Sequence, residues 1–293
     1  MKKVCVLMGG TSNERAVSLQ SGANVVKALE ALGKYEVVPV RLDADSVDAV
    51  PACDAAFLAL HGGYGENGGV QAALNARGIP YTGPGAAASK LAMDKIETKK
   101  ALEKAGVPTA AWAVVADPAA PAPLPFPCVV KPPRDGSSVG ISKATDEASF
   151  RAALAEALKV DGREALVEAY VPGREMTVAV LNGKAFPVVE ICAPGGWYGY
   201  KEKYLSDETT YPFPDDAFLP EMQRLAVAAY DACGCRGVTR VDFRVTDAGE
   251  MFVLELNTVP GMTAHSLVPK AAAKTGLDFP ALCDEILASA ACD

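Results

Sequence analysis

The sequence predicts a mixed α/β and α+β protein, with a parallel sheet first and antiparallel units after it. Three observations carry this expectation. Short apolar runs alternate with helical segments as far as residue 83, the pattern of a sheet covered by helices. Asn182-Gly183 lies between two extended runs, a strong hairpin-turn signal. Gly237–Asn257 reads as a second hairpin around Ala248-Gly249.

The elements follow in order. Lys3–Met8 is a buried strand ending at Gly9-Gly10. A helix follows, with Ser12 or Asn13 as its expected cap and Leu19, Ala23, Val26 and Leu29 as its apolar stripe. Tyr35–Arg41 and Ala55–Leu60 are further strands. In such parallel sheets ligands bind beyond the carboxyl ends of the strands, here Gly9–Arg15 and His61–Gly69. Gly85–Leu91 and Asp94–Ala105 read as helices, and the proline-rich Asp117–Pro127 as an extended connection. Strands at Cys128–Lys131, Ile141–Ala144 and Ala165–Val171, with a helix at Glu147–Lys159, form a small α+β unit. Met176–Ile191 holds the first hairpin, Gly195–Pro214 a long loop, Leu219–Ala232 a helix, and two helices close the chain. The expected domains are 1–83, 84–170 and 171–293.

The 293 residues are 50% hydrophobic and 22% charged, which suits a globular chain rather than a disordered one. A net charge of −8 argues against a nucleic-acid partner. Only two histidines, His61 and His265, leave little for a His-rich metal site. No segment reaches the roughly 20 apolar residues a membrane helix needs. The eight cysteines are scattered, several inside apolar runs, and suit a reducing cytoplasm.

With Ala248-Gly249 as a two-residue turn, Asp242 stands opposite Glu255, Arg240 opposite Asn257, and Phe243 opposite Leu254. Opposed carboxylates repel. Asp242 and Glu255 therefore need a counter-charge, either Arg240 or a divalent cation. Two carboxylates and an amide oxygen are hard donors suited to Mg²⁺. Upstream, a strand ends at Lys131 and a glycine-rich loop runs from Pro132 to Gly140, with Ser137 and Ser138 inside it. Such a loop can cradle phosphate or be an ordinary connection. It is not a Walker A loop, because no GK[ST] opens a helix there. Together, the loop and the hairpin make a nucleoside triphosphate cleft plausible. The Gly-rich Met8–Arg15 segment lacks GxGxxG, which counts against a dinucleotide-dependent dehydrogenase. A non-catalytic nucleotide-binding module is the other alternative.

In that order, MGGTSNERAVSL (8–19), ALHGGYGENGGVQ (59–71), YTGPG (81–85), MDK (93–95), VVKPPRDGSSVG (129–140), KYLSDET (203–209), RVDF (240–243) and LELNTVPGMTAHSLVP (254–269) resemble the D-alanine–D-alanine ligase family of ATP-grasp enzymes. The resemblance implies an ATP-grasp fold behind an N-terminal parallel-sheet domain. It implies ATP-dependent joining of two D-alanines through a D-alanyl phosphate for peptidoglycan precursors, with D-lactate or D-serine as alternative acceptors. Lys95 and Lys131 would meet phosphates under a cover formed by Gly136, Ser137, Ser138 and Val139. Glu168, Tyr170 and Val171 would hold the base and Glu175 the ribose, with Trp197 and Leu254 near the nucleotide. Asp242, Glu255 and Asn257 would hold two Mg²⁺, or Mn²⁺. Glu14 would take the first D-alanine's ammonium, linked to Ser137 and Tyr204, with His61 nearby. Arg240 and the Gly261 amide would face the oxyanion. Lys203, Ser266 and Leu267 would hold the second carboxylate. A cytoplasmic homodimer is the implied state.

Overall fold

The structure, a computed structural model, describes residues 1–136, 139–196, 199 and 208–293. Three sheets organise the described residues. The first is parallel, with β1 (Lys2–Gly9) between β2 (Tyr35–Leu42) and β3 (Ala55–Leu58). Alternate residues of β1 enter different cores. Val4, Val6 and Met8 meet α1 (Arg15–Ala31), while Cys5 and Leu7 meet α2 (Gly69–Ala76) through Val70 and Leu74. Burial on both faces explains why the strand reads as an unbroken apolar run.

Two expectations about α1 are corrected. Its N-cap is Glu14, without a side-chain cap bond, rather than Ser12 or Asn13. Its buried face is Ser18, Ser21, Gly22, Val25, Ala28 and Leu29, while Ala23 is exposed. The serines are buried because their hydroxyls are satisfied: Ser18 Oγ accepts from Gly9 N at 2.8 Å and donates to Ala59 O at 2.6 Å. At Gly22 a side chain is excluded, since a Cβ would stand 2.5 Å from that of Met8.

After α3 (Ala86–Met93) and α4 (Lys95–Lys104) comes an antiparallel sheet of order β4-β7-β5-β6, made of β4 (Trp112–Val115), β5 (Cys128–Lys131), β6 (Ser142–Ala144) and β7 (Ala165–Ala169). The sequence pattern missed β4, whose four residues have no alternation to announce them. Helix α5 (Glu147–Asp161) covers this sheet through Phe150, Ala153, Leu154 and Ala157. A capping box between Asp146 and Ser149 starts it, and Gly162 at φ 77° ends it.

The third sheet has the order β10-β8-β11-β12, from β8 (Arg174–Leu181), β10 (Val189–Ile191), β11 (Val238–Val245) and β12 (Met251–Asn257), with the short β9 (Lys184–Ala185) also on β8. Asn182 and Gly183, at φ 51° and 76°, make the turn the sequence signals. Helix α6 (Leu219–Ala232) packs on one face through Met222, Leu225, Ala226 and Ala229. Ala179, Leu181 and Val238 join the core of the first sheet, together with α7 (Leu267–Lys274) and α8 (Phe279–Ala288).

The β11–β12 register agrees with expectation at the site and departs from it near the turn. Arg240 pairs with Asn257 and Asp242 with Glu255, but Phe243 then pairs with Val253, not Leu254. The turn is longer than two residues. Thr246 N donates to Glu250 O, and Gly249 sits at φ 82° between them. The additional loop residue is absorbed by a bulge at Leu254. Val253 is consequently buried beside Phe243, while Leu254 is only half-buried. Among the described residues no helix is long and apolar enough to cross a membrane. All eight cysteines are free.

Candidate active site

The ends of β1 and β3, the start of α4, the polar face of β11–β12 and the start of α7 surround one cleft of about 450 Å³. Glu14, His61, Lys95, Gly136, Arg240, Glu255, Asn257, Gly261, Ser266 and Leu267 line it. Residues as far apart in the chain as Glu14 and Val268 thus meet in one cleft.

Glu14 enters from the N-terminus of α1. An added Cβ at Gly62 (φ 69°) would stand 2.6 Å from Glu14 Oε2, so glycine leaves the room the carboxylate uses. Gly136 also comes close, its hypothetical Cβ 3.8 Å from the same oxygen. Behind them His61 is buried and joins three segments. Its Nδ1 lies 3.0 Å from Val259 O and its Nε2 2.9 Å from Ser21 Oγ, which accepts from Met262 N at 3.1 Å. A carbonyl only accepts, so Nδ1 carries the proton and Nε2 takes the Ser21 hydroxyl proton. Burial pushes the His61 pKa down, which keeps this neutral tautomer. The ring therefore positions the 259–262 loop.

The hairpin supplies charge. Arg240 grips Asp242 with two bonds, Nε to Oδ1 at 2.8 Å and Nη2 to Oδ2 at 2.7 Å, and Thr177 Oγ1 adds a third at 2.6 Å. Glu255 is 3.3 Å from Lys95 Nζ, which also donates to Asp135 O at 2.8 Å. The counter-charges of the acidic pair are thus Arg240 and Lys95. Asn257 Oδ1 is buried without a hydrogen-bond partner, and buried acceptors rarely stay unpaired. Among the described residues no cluster of three His, Cys, Asp or Glu side chains exists. The fit to a hard cation rests on two carboxylates and this unpaired amide oxygen.

Beyond β11 lies a second polar group. Lys131 and Lys99 both pair with Glu168, the latter at 2.5 Å. Burial alone would raise the Glu168 pKa, but the Lys131 and Lys99 ammoniums prevail and hold it below its usual value. Lys143 Nζ sits 3.5 Å from the Tyr170 ring centre. Arg244 donates to Val171 O at 3.2 Å and stands 3.6 Å from Glu175. Lys131, Glu168, Tyr170, Val171, Glu175 and Leu254 do not line the 450 Å³ cleft, and neither do Val139 and Asp242. Ser137, Ser138, Trp197, Lys203 and Tyr204 lie outside the described residues.

Two residues escaped the sequence reading. Glu66 lines the cleft, and burial, then the Glu14 charge, pushes its pKa up to about 8. Its signal was an acid inside the glycine-rich stretch after β3. Lys99 is four residues from Lys95, hence on the same helix face. Two like charges so placed call for a carboxylate.

Residues 3–49 match the family described as D-ala D-ala ligase N-terminus, and residues 101–288 its C-terminus. The chain is 45% identical to a D-alanine–D-alanine ligase of Syntrophotalea carbinolica, covering 99% of this chain and 96% of that one. It is 46% identical to one of Acidiphilium cryptum, covering 100% and 99%. A crystal structure of the Bacillus anthracis ligase superposes with a TM-score of 0.89 at 35% identity, covering 99% of this chain and 97% of that one. A Bacillus anthracis D-alanine–D-alanine ligase complexed with ATP gives 0.87 at 32% identity, with the same coverage. The chain, with its ATP-grasp fold, belongs to the D-alanine–D-alanine ligase family.

Proposed function

We propose that the protein uses ATP to join two D-alanine molecules into D-alanyl-D-alanine, a peptidoglycan precursor. The observation that carries this reading is one cleft holding an acid (Glu14), two cations (Lys95 and Arg240) and the Glu255–Asn257 oxygens, in a chain of this family. A carboxylate is a poor electrophile. Its oxygen first attacks the γ-phosphorus, giving D-alanyl phosphate and ADP. The second amine then attacks the acyl carbon, and phosphate leaves from the tetrahedral oxyanion.

The roles follow the family resemblance, and the chemistry of each side chain supports them. Glu14 binds the first ammonium, and the His61–Ser21 link holds the loop that carries the Gly261 amide. Arg240 and that amide face the oxyanion. Ser266 and the Leu267 N–H, at the start of α7, receive the second carboxylate. Lys95 meets phosphate, and Lys131 reaches it from Glu168. The base lies against Tyr170, Val171 and Leu254, with Glu168 and Glu175 at its polar edges. Asp242, Glu255 and Asn257 would hold Mg²⁺, which when bound neutralises phosphate oxygens during transfer. Ser137, Ser138, Val139, Trp197, Lys203 and Tyr204 keep the roles the family resemblance implies.

Three sheets within 2–58, 112–169 and 174–257 support the division at 83 and 170. A homodimer in the cytoplasm completes the proposal. The test is mass analysis after mixing ATP, Mg²⁺ and D-alanine. It should yield the dipeptide with one phosphate released per bond. A depsipeptide formed preferentially with D-lactate, or a mixed dipeptide with D-serine, would move the assignment to the alternative acceptors. Phosphate release without D-alanine would exclude a ligase.

A further inference from the structure

Lys99 is 1% exposed and Glu168 2%, so both charges lie in the interior. Glu168 stands opposite Val129 on β5, hence on the same sheet face as Lys131, two residues on. The carboxylate therefore lies between the ammoniums of Lys99 and Lys131, each on its own oxygen. These ammoniums differ in how they are held. Lys99 stands 2.5 Å from Glu168 Oε1 as an ion pair and donates to two further acceptors, Thr109 Oγ1 at 2.6 Å and Ala110 O at 3.3 Å. Thr109 passes its own proton to Val253 O at 2.9 Å, which fixes Lys99 to β12. Lys131, at the end of β5, has Glu168 as its partner among the described residues. One carboxylate against two ammoniums leaves one positive charge to spare, and Lys131 is the ammonium free to carry it elsewhere.

Resting on the proposed function, we propose that Lys99 is a positioning residue: the fixed counter-ion of Glu168, which allows Lys131 to turn from that carboxylate to the phosphates of bound ATP. A buried carboxylate stripped of its last partner is strongly destabilising. With Lys99 in place, Glu168 keeps one ammonium when Lys131 leaves. Without Lys99, Glu168 holds Lys131 as its sole counter-ion and withdraws it from the nucleotide.

The test measures calorimetric affinities for Mg²⁺-ATP and for adenosine. The proteins are wild type, Lys99→Met, Glu168→Gln and the double variant. Lys99→Met should weaken ATP about tenfold or more while leaving adenosine within about threefold, a coupling of the size contacting charges give. In the Glu168→Gln background the carboxylate that captures Lys131 is absent, so Lys99→Met should then change ATP affinity less than about threefold. Parallel weakening of ATP and adenosine, or an equal ATP loss in both backgrounds, would overturn the role. If Lys99→Met alone does not fold, the comparison of Glu168→Gln with the double variant decides: equal affinities support the role, and a further tenfold loss, roughly, overturns it. Absence of ATP binding by the wild-type protein would instead sink the functional reading, and this role with it.

Discussion

At the scale of single residues, Asp242 and Glu255 are the proposed metal ligands, and their neighbours set their cost. Arg240 and Lys95 balance them in the structure, while Asn257 Oδ1 is left without a bond. Replacing Glu255 by Gln keeps the shape and removes one charge. Turnover with Mg²⁺ should drop by about 100-fold or more, since several kcal/mol of phosphate neutralisation is at stake, with unchanged circular dichroism. Near-normal turnover would remove Glu255 from the phosphate site. Glu66 gives a pH signature. Its pKa is raised in the folded chain to about 8, by burial first and then by Glu14. Between its unfolded value near 4.5 and about 8 the folded state binds the extra proton, so this residue's contribution to stability falls as pH rises. In urea titrations at pH 5 and pH 8, Glu66→Gln should flatten that fall. Identical pH slopes in both proteins would refute the assignment.

Asp94 shows how one side chain can serve two elements. Its Oδ1 caps α4 by accepting from Ile96 N at 3.0 Å and Glu97 N at 3.3 Å, and its Oδ2 takes Arg134 Nε at 2.7 Å. Arg134 also pairs with Asp161, the last residue of α5, and with Glu164 just beyond it. The cap alone contributes about 1 kcal/mol. Asp94→Ala should cost more than Asp278→Ala, because Asp278 caps α8 through a single bond to Ala281 N. Chemical denaturation of the two variants compares them directly, and equal losses would count against the shared role. The hairpin makes a different point. Both pairs at the site, Arg240 with Asn257 and Asp242 with Glu255, follow from counting back from the turn. The count survives because the longer loop and the Leu254 bulge cancel by one residue each.

For the whole molecule, the distribution of core decides which parts move together. Val4, Val6, Val25 and Leu29 share one core with Ala179, Leu181, Val238, Val268, Leu282 and Ile286. The first sheet and the last helices are therefore a single packed body. The central sheet keeps its own core around Phe150 and Leu154 beneath α5. Native-state hydrogen exchange should find β4–β7 and α5 opening below the free energy of the remainder. Exchange of β5 and β7 only with global unfolding would contradict this. The Lys99–Glu168 and Arg134–Asp94 pairs then act as the charged seam between α4 and that unit.

The alternation of strands and helices, the Asn182-Gly183 turn and the spacing of Asp242, Glu255 and Asn257 were legible because each depends on local periodicity or on counting along one hairpin. Glu14, Lys95, Gly261 and Ser266 were legible as cleft-lining residues, through segments that stand in family order. The polar buried face of α1, the β4 strand, the bulge at Leu254 and the triad of Lys99, Glu168 and Lys131 were not. Each of these depends on what a side chain meets across the fold: a serine is buried when a carbonyl and an amide are waiting for it, and a lysine when a carboxylate from another strand lies against it. Tertiary packing decided those partners, and no spacing along the chain encodes them.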